Sequence, residues 1–247
     1  MVFDKLTKIL ILPLYYLIHH NIIFGLIQKY FLKVFKYKKF KFFLNIKDIP
    51  ISNYSSFLFN TYEYNDRTLI ERNLSRKNHC IVIGGGLGFV PCISYWYSRN
   101  KIIVFEINRK IINNLRKNLN YNKCKYKLFL KNLNFNKKEI NKKFYLTKDF
   151  LSTSSKIKSK KFIKMKNLFY KNITDINQYN TLIIDAEGDE EYYINNLKYL
   201  KNIKHLFFEL HYNLFTEAEI LKLMKKLKKN RFKIKDKCFN SFYFAKS

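Results

Sequence analysis

Asp185, Glu187, Asp189, Glu190 and Glu191 place five carboxylates within seven residues, with no Lys or Arg among them. The surrounding chain is strongly basic, with Lys+Arg 48 against Asp+Glu 18, or +30 over 247 residues. Residues 121–180 carry 16 basic and 3 acidic residues, whereas 181–247 carry 13 and 9, so the acids concentrate at one place in the fold. Glu209 and His211 form a second group. Period-two spacing puts Asp185 with Glu187, and Glu209 with His211, on one side of an extended chain. A carboxylate or a neutral imidazole can take the proton of a hydroxyl as that oxygen attacks an electrophile. Histidine titrates near about 6.5, so His211 is expected to be available as a base at neutral pH. Three carboxylates and a histidine can also hold a hard divalent ion, although no metal is assigned from the sequence. Plainer readings stand beside these. Glu190 and Glu191 suit the N-terminus of a following helix, and His211 can be a core histidine. His19, His20, His79 and His205 have no evident partners and are read as structural.

The second chemical signal is Gly84-Gly85-Gly86-Leu87-Gly88. Its glycines follow an apolar run and precede a helical pattern, where they let backbone approach a ligand beside a helix N-terminus. The spacing is GxGxG. The dinucleotide pattern GxGxxG would need glycine where Phe89 stands, and no GK[ST] follows to make a phosphate-binding P-loop. Glu106 lies 22 residues after Gly84, at the end of the next apolar run, where a carboxylate can accept both hydroxyls of a ribose. A glycine loop alone can be a tight turn. With strand, helix and acid in place it reads as a cofactor loop.

These residues need a scaffold that brings strand ends together. The runs at 81–85, 101–106, 126–130, 181–185 and 205–210 read as strands, the first as a buried parallel one. Pro91 suits a first helical turn, so 91–98 is expected to be helical. Helices are also expected at 108–120, 189–200 and 216–230, the last on Ile220, Leu221, Leu223, Met224 and Leu227. FKIKD (232–236) and SFYFA (241–245) alternate and are close enough to pair antiparallel. The alternation gives an α/β fold: a doubly wound, mostly parallel seven-stranded sheet with a C-terminal antiparallel hairpin. In such sheets ligands bind beyond the carboxyl ends of strands, where both acidic groups fall. The Lys/Ser-rich 152–166 reads as a loop or lid.

The chain resembles the S-adenosylmethionine-dependent methyltransferases, and more closely the FkbM family. The resemblance covers roughly 60–245, through TYEYNDRTLIERNL (61–74), IVIGGGLGFVPC (81–92), VFEINRKIINNLRKNLNYNKC (104–124), FYLTKDFLSTSS (144–155), TLIIDAEGDE (181–190) and LFFELH (206–211). The last two are the more specific part. The resemblance implies a Rossmann-like methyltransferase fold that binds S-adenosylmethionine, with Gly84, Gly85, Gly86 and Gly88 at its methionine and ribose portions. It implies Glu106 at the ribose and Asn108 among the cofactor-binding residues. Asp185, Glu187, Glu209 and His211 would form the catalytic group. Many members carry an acid two residues before the first glycine, where this chain has Val82. Glu63 is then either the substitute that holds the methionine ammonium or a solvated surface acid.

Residues 1–59 are expected to be a basic, hydrophobic extension and 60–247 the methyltransferase domain. Residues 9–28 carry no charged side chain and are about long enough to span a bilayer, but Pro13 and His19-His20-Asn21 interrupt them. Lys29, Lys33, Lys36, Lys38, Lys39 and Lys41 follow, interleaved with aromatics, which suits an anionic membrane surface. Residues 1–45 are expected to be helical and to touch the membrane reversibly, with a core-packing helix or a true span as alternatives. Cys80, Cys92, Cys124 and Cys238 show no CxxC spacing, so a disulfide scaffold and a zinc site are not indicated and a cytoplasmic setting is expected, at the inner membrane face. Only seven of the basic residues are Arg, and prolines at 13, 50 and 91 alone leave no NPPY-type turn. A nucleic-acid partner is therefore not favoured. The expected function is methyl transfer to a hydroxyl, a sugar in glycan biosynthesis being the acceptor class. RNA ribose methylation and a non-catalytic membrane-surface role are the alternatives.

Overall fold

The computed structural model describes residues 33–44, 56–57, 60–146, 153–154, 156 and 159–246. The chain divides into two compact units, Met1–Tyr62 and Glu63–Ser247. The described part of the first is a hairpin of β1 (Val34–Tyr37) and β2 (Phe40–Phe43), closed at Lys38, whose φ is 49°. The helix expected there is replaced by a strand pair because the apolar residues alternate. Phe35 pairs with Phe42 on the buried side, and Lys36 faces Lys41 on the exposed side. Phe57 adds its ring against Phe35 and Tyr62, at 5.7 and 4.5 Å between centroids. Residues 9–28 and the membrane contact expected of them lie outside the described residues. Among the described residues no helix is long and apolar enough to cross a membrane.

The second unit opens with α1 (Tyr64–Asn73). It continues through β3 (Cys80–Ile83), α2 (Phe89–Ser98), β4 (Ile102–Phe105), α3 (Ile112–Tyr121) and β5 (Tyr126–Phe129). An inserted region follows, with β6 (Asn132–Asn134), β7 (Asn141–Leu146), β8 (Thr153–Ser154) and β9 (Phe162–Phe169). Then come β10 (Thr181–Ile184), α4 (Glu190–Asn195), β11 (His205–Glu209), α5 (Glu217–Lys229), β12 (Phe232–Cys238) and β13 (Ser241–Lys246). The main sheet has seven strands in the order β12-β13-β11-β10-β3-β4-β5. This is the doubly wound order with one extra strand, β13, inserted antiparallel between the fifth and sixth. Every residue of β3, β4 and β10 is buried, as parallel strands covered on both faces require. Ile81, Ile83, Phe105, Leu182, Ile184, Leu206 and Phe208 form the centre of the core.

Further elements differ from the sequence reading. Phe162–Phe169, which begins inside the loop expected at 152–166, is a strand that pairs with β7 and β6 in a separate four-stranded sheet. Ile163 and Met165 alternate with Lys164 and Lys166, and the lysine content hides that period of two. The helix expected over 189–200 stops at Asn195 and continues as a 3-10 turn, Leu197–Tyr199. The neighbours of β3 are β4 on one side and β10 on the other, so the chain reverses direction across the sheet there. The crevice at that reversal is where an open α/β sheet takes its ligand.

Candidate active site

The glycine loop leaves β3 in a conformation only glycine adopts easily. Gly84, Gly86 and Gly88 have φ of 86°, 50° and 96°. A Cβ on Gly84 would stand 2.0 Å from the carbonyl oxygen of Asp185, so the loop and the end of β10 are in backbone contact. Gly88 leads directly into α2, whose first N–H groups therefore open toward the loop.

Glu106 holds this loop. It is 6% exposed, and both carboxylate oxygens accept backbone N–H bonds. Oε2 accepts from Gly85 and Gly86 at 3.0 and 2.9 Å, and Oε1 from Ile107 and Asn108 at 2.7 Å each. Burial raises its pKa above the usual carboxylate value, while the four amides work in the opposite direction. Four bonds engage about all the lone pairs a carboxylate offers. The group expected at a ribose is thus, in this structure, the clamp of the glycine loop. Asn108 is buried beside it, and its Oδ1 accepts from the Lys110 N–H at 3.0 Å. Glu63, at the start of α1, accepts from the Val90 N–H at 3.2 Å and so sits at the N-terminal turn of α2.

The loop, Glu106 and Ile107 form one wall of an open cleft. Asp185, Glu187 and Asp189 form another wall, and Lys131, Phe144 and Tyr193 complete it. Phe144 comes from the inserted sheet. Its neighbour Lys142 reaches Asp189 at 2.7 Å, so the insert is tied to the acidic loop. Glu187 adopts a φ of 48°, an uncommon conformation for a residue with a side chain, of the kind that concentrates at functional sites.

Asp185, Glu187, Glu209 and His211, expected to act together, do converge. His211 Nε2 lies 3.4 Å from Glu187 Oε2, 3.8 Å from Asp185 Oδ1 and 4.0 Å from Glu209 Oε2. Its Nδ1 is hydrogen-bonded to Glu190 Oε1 at 2.8 Å. Asn240 donates to Glu209 at 2.6 Å and accepts from Asn65 at 2.7 Å, which fixes Glu209 from behind. Burial by itself lowers the His211 pKa. The Glu190 hydrogen bond and the charges of Glu187, Glu190 and Glu209 outweigh it and bring the value to about 9. The acidic neighbours thus favour the imidazolium over the neutral imidazole expected of a base. Asp185 is pushed well above the usual carboxylate range, first by burial and then by Glu209 and Glu187. Asp66, on α1, is pushed up to about 8, first by burial and then by Glu209.

Glu190 and Asp66 were not read as members of this group. Glu190 suited a helix N-terminus, and it does begin α4, but it is fully buried and bonded to His211. Its spacing of 21 residues from His211 carries no signal in sequence. Asp66 stands three residues after Glu63, one helical turn, which is the one available hint.

Fold and site together define a doubly wound α/β protein with a cleft at the reversal of strand order. No protein-family model matches the chain, and no curated protein matches it in sequence. Solved structures do. P. horikoshii TYW2 in complex with MeSAdo is similar at 13% identity and TM-score 0.47, over 85% of this chain and 68% of that one. M. jannaschii TYW2 in complex with AdoMet is similar at 14% identity and TM-score 0.47, over 85% and 82%. The ribosomal protein L11 methylase of Lactobacillus delbrueckii subsp. bulgaricus is similar at 12% identity and TM-score 0.45, over 74% and 77%. The likeness is one of fold, and the fold assignment rests on the strand order itself.

Proposed function

We propose that this protein is an S-adenosylmethionine-dependent methyltransferase, of the FkbM kind, acting on a hydroxyl group. The observation that carries the reading is the glycine loop clamped by Glu106, opening on a cleft whose other wall is Asp185 and Glu187. The cofactor, when bound, supplies an electrophilic methyl group on a sulfonium that departs as a neutral thioether. The chain's own part is then positioning and proton removal. The positive-φ glycines and the N-terminus of α2 would give a close backbone surface for a nucleoside. The carboxylate wall favours a cation, and Glu187 stands where an acceptor hydroxyl can pass its proton. While Nε2 keeps its proton, His211 would hold Asp185, Glu187 and Glu209 together rather than serve as the base.

A sugar of a growing glycan is the acceptor class we infer, in the cytoplasm, with residues 1–45 in contact with the inner membrane face. Transfer of labelled methyl from S-adenosylmethionine into cell-envelope extract tests this; label in glycan supports it. A second reading is RNA ribose methylation. One observation favours it: on the exposed face of the inserted sheet Lys143 pairs directly with Lys164, beside Lys166 and Phe162. RNA binding that weakens steeply between about 50 and 300 mM salt would support that reading, and label in RNA would replace the glycan. Absence of transfer to either, with the cofactor bound, would leave a non-catalytic role.

A further inference from the structure

We propose that Asp185, Glu209 and His211 form a binding site for a divalent first-row metal ion. Among the described residues this is the one group of three whose ligand atoms all lie within 4.8 Å of one another. The geometry fits an ion. Ligand atoms about 2.1 Å from a common metal lie roughly 3 to 4.2 Å apart. The distances from His211 Nε2 to the three carboxylates around it, 3.4, 3.8 and 4.0 Å, fall in that interval and outside good hydrogen-bond contact. Nε2 thus faces three oxygens without a short bond to any of them.

Two further observations point to a cation. Asp185 Oδ1 is a buried oxygen with no hydrogen-bond partner among the described residues, and it is one of the atoms that faces Nε2. Glu190 is 0% exposed, and its Oε2 is likewise without a hydrogen-bond partner there. Buried carboxylate oxygens left in this way are costly unless a positive charge meets them; His211, 3.8 Å from Asp185 Oδ1, supplies that charge only while Nε2 keeps a proton, which a bound ion would replace. Glu190 Oε1, meanwhile, receives Nδ1 of His211 at 2.8 Å. That is the arrangement by which a metal-ligating histidine is oriented from behind, with its second nitrogen turned to the ion. A mixed imidazole and carboxylate set suits Mn²⁺, Fe²⁺ or Zn²⁺ better than an all-oxygen ion such as Ca²⁺.

The ion would stand at the carboxyl ends of β10 and β11, in the wall of the cleft beside Glu187. Its role rests on the proposed methyl transfer: it would bind the acceptor oxygen and favour loss of the hydroxyl proton. Ion binding itself does not depend on that reading.

The test uses full-length protein stripped with chelator and titrated with Mn²⁺, followed by the electron-paramagnetic-resonance signal of the unbound ion and by thermal unfolding. One Mn²⁺ per chain is expected, with a rise in Tm. Asp185→Asn, Glu209→Gln and His211→Gln should each weaken binding about tenfold or more, and Glu190→Gln about tenfold through the orientation of His211. Asp185→Asn and Glu209→Gln remove like charge from a crowded cluster. Both should therefore raise the Tm of the metal-stripped protein while removing its response to Mn²⁺, which separates lost ligation from lost folding. No stoichiometric binding, or binding unchanged in all four variants, overturns the site. Calorimetry of the stripped protein with S-adenosylmethionine reads the other proposal separately. Cofactor binding without Mn²⁺ binding defeats the metal site alone, and Mn²⁺ binding without cofactor binding upholds the site and defeats the methyltransferase reading.

Discussion

Glu106→Gln isolates the clamp on the glycine loop. Glutamine keeps the volume and one acceptor oxygen but turns an amide NH₂ toward two of the four backbone N–H groups. Either the Gly85 and Gly86 bonds or the Ile107 and Asn108 bonds are lost, and two donors then face a donor. Hydrogen bonds to a charged group contribute about 1.5–3 kcal/mol each, so the pair amounts to roughly 3–6 kcal/mol. Burial of the charge, which raises the Glu106 pKa, offsets part of this and favours the lower end, about 3 kcal/mol. In a unit of this size each kcal/mol moves Tm by roughly 2–4 °C, which gives a fall of about 6–12 °C. The assay is thermal unfolding by circular dichroism at neutral pH with no cofactor present. A Tm unchanged to within about 2 °C, together with lost cofactor binding, would refute the clamp and leave Glu106 as a ligand contact alone.

Gly84→Ala puts a side chain at φ 86° and a Cβ 2.0 Å from a backbone oxygen, so strain of about 1–2 kcal/mol adds to overpacking of about 1–3 kcal/mol. Gly85→Ala meets only the side-chain ends of Leu115 and Val104, at 2.7 and 2.9 Å, and should cost less than half as much in denaturant titrations. Lys142→Met removes the ammonium 2.7 Å from the buried Asp189 carboxylate and should cost about 3 kcal/mol. The double variant with Asp189→Asn should recover most of that loss, and a double variant as unstable as the single would argue against the ion pair. His205 has its pKa lowered from 6.5, by burial and then by Lys204. Its contribution to stability is present above that value and is lost as pH falls through the lower folded value. His205→Gln, which keeps a partner for Tyr243 OH, should flatten the loss of stability from about pH 7 to about pH 5; an unchanged slope would count against it.

The sheet was legible because its strands are short apolar runs that end in glycine or acid. IVIGG, KIIVFE, TLIID and HLFFEL mark both where strands stop and where the ligand end lies. The alternation of FKIKD and SFYFA gave the C-terminal hairpin, though not that β13 would pass between β11 and β12. Helix α1 gave no periodic signal, since two of its four buried residues are Asp66 and Arg67. In the inserted sheet, β6 and β9 were hidden by asparagine or lysine alternating with Leu133, Ile163 and Met165. In the site, the glycines, Glu106 and the acidic run announce themselves by type and spacing. The charge state of His211 does not, because it depends on a hydrogen bond to Glu190, 21 residues away in the chain.

The most direct test of the account is a calorimetric titration of S-adenosylmethionine into the purified protein, repeated with Glu106→Ala. Saturable binding at one cofactor per chain, weakened by the substitution, is the predicted result. No detectable binding at about millimolar cofactor, which corresponds to less than about 4 kcal/mol of binding free energy, would contradict it.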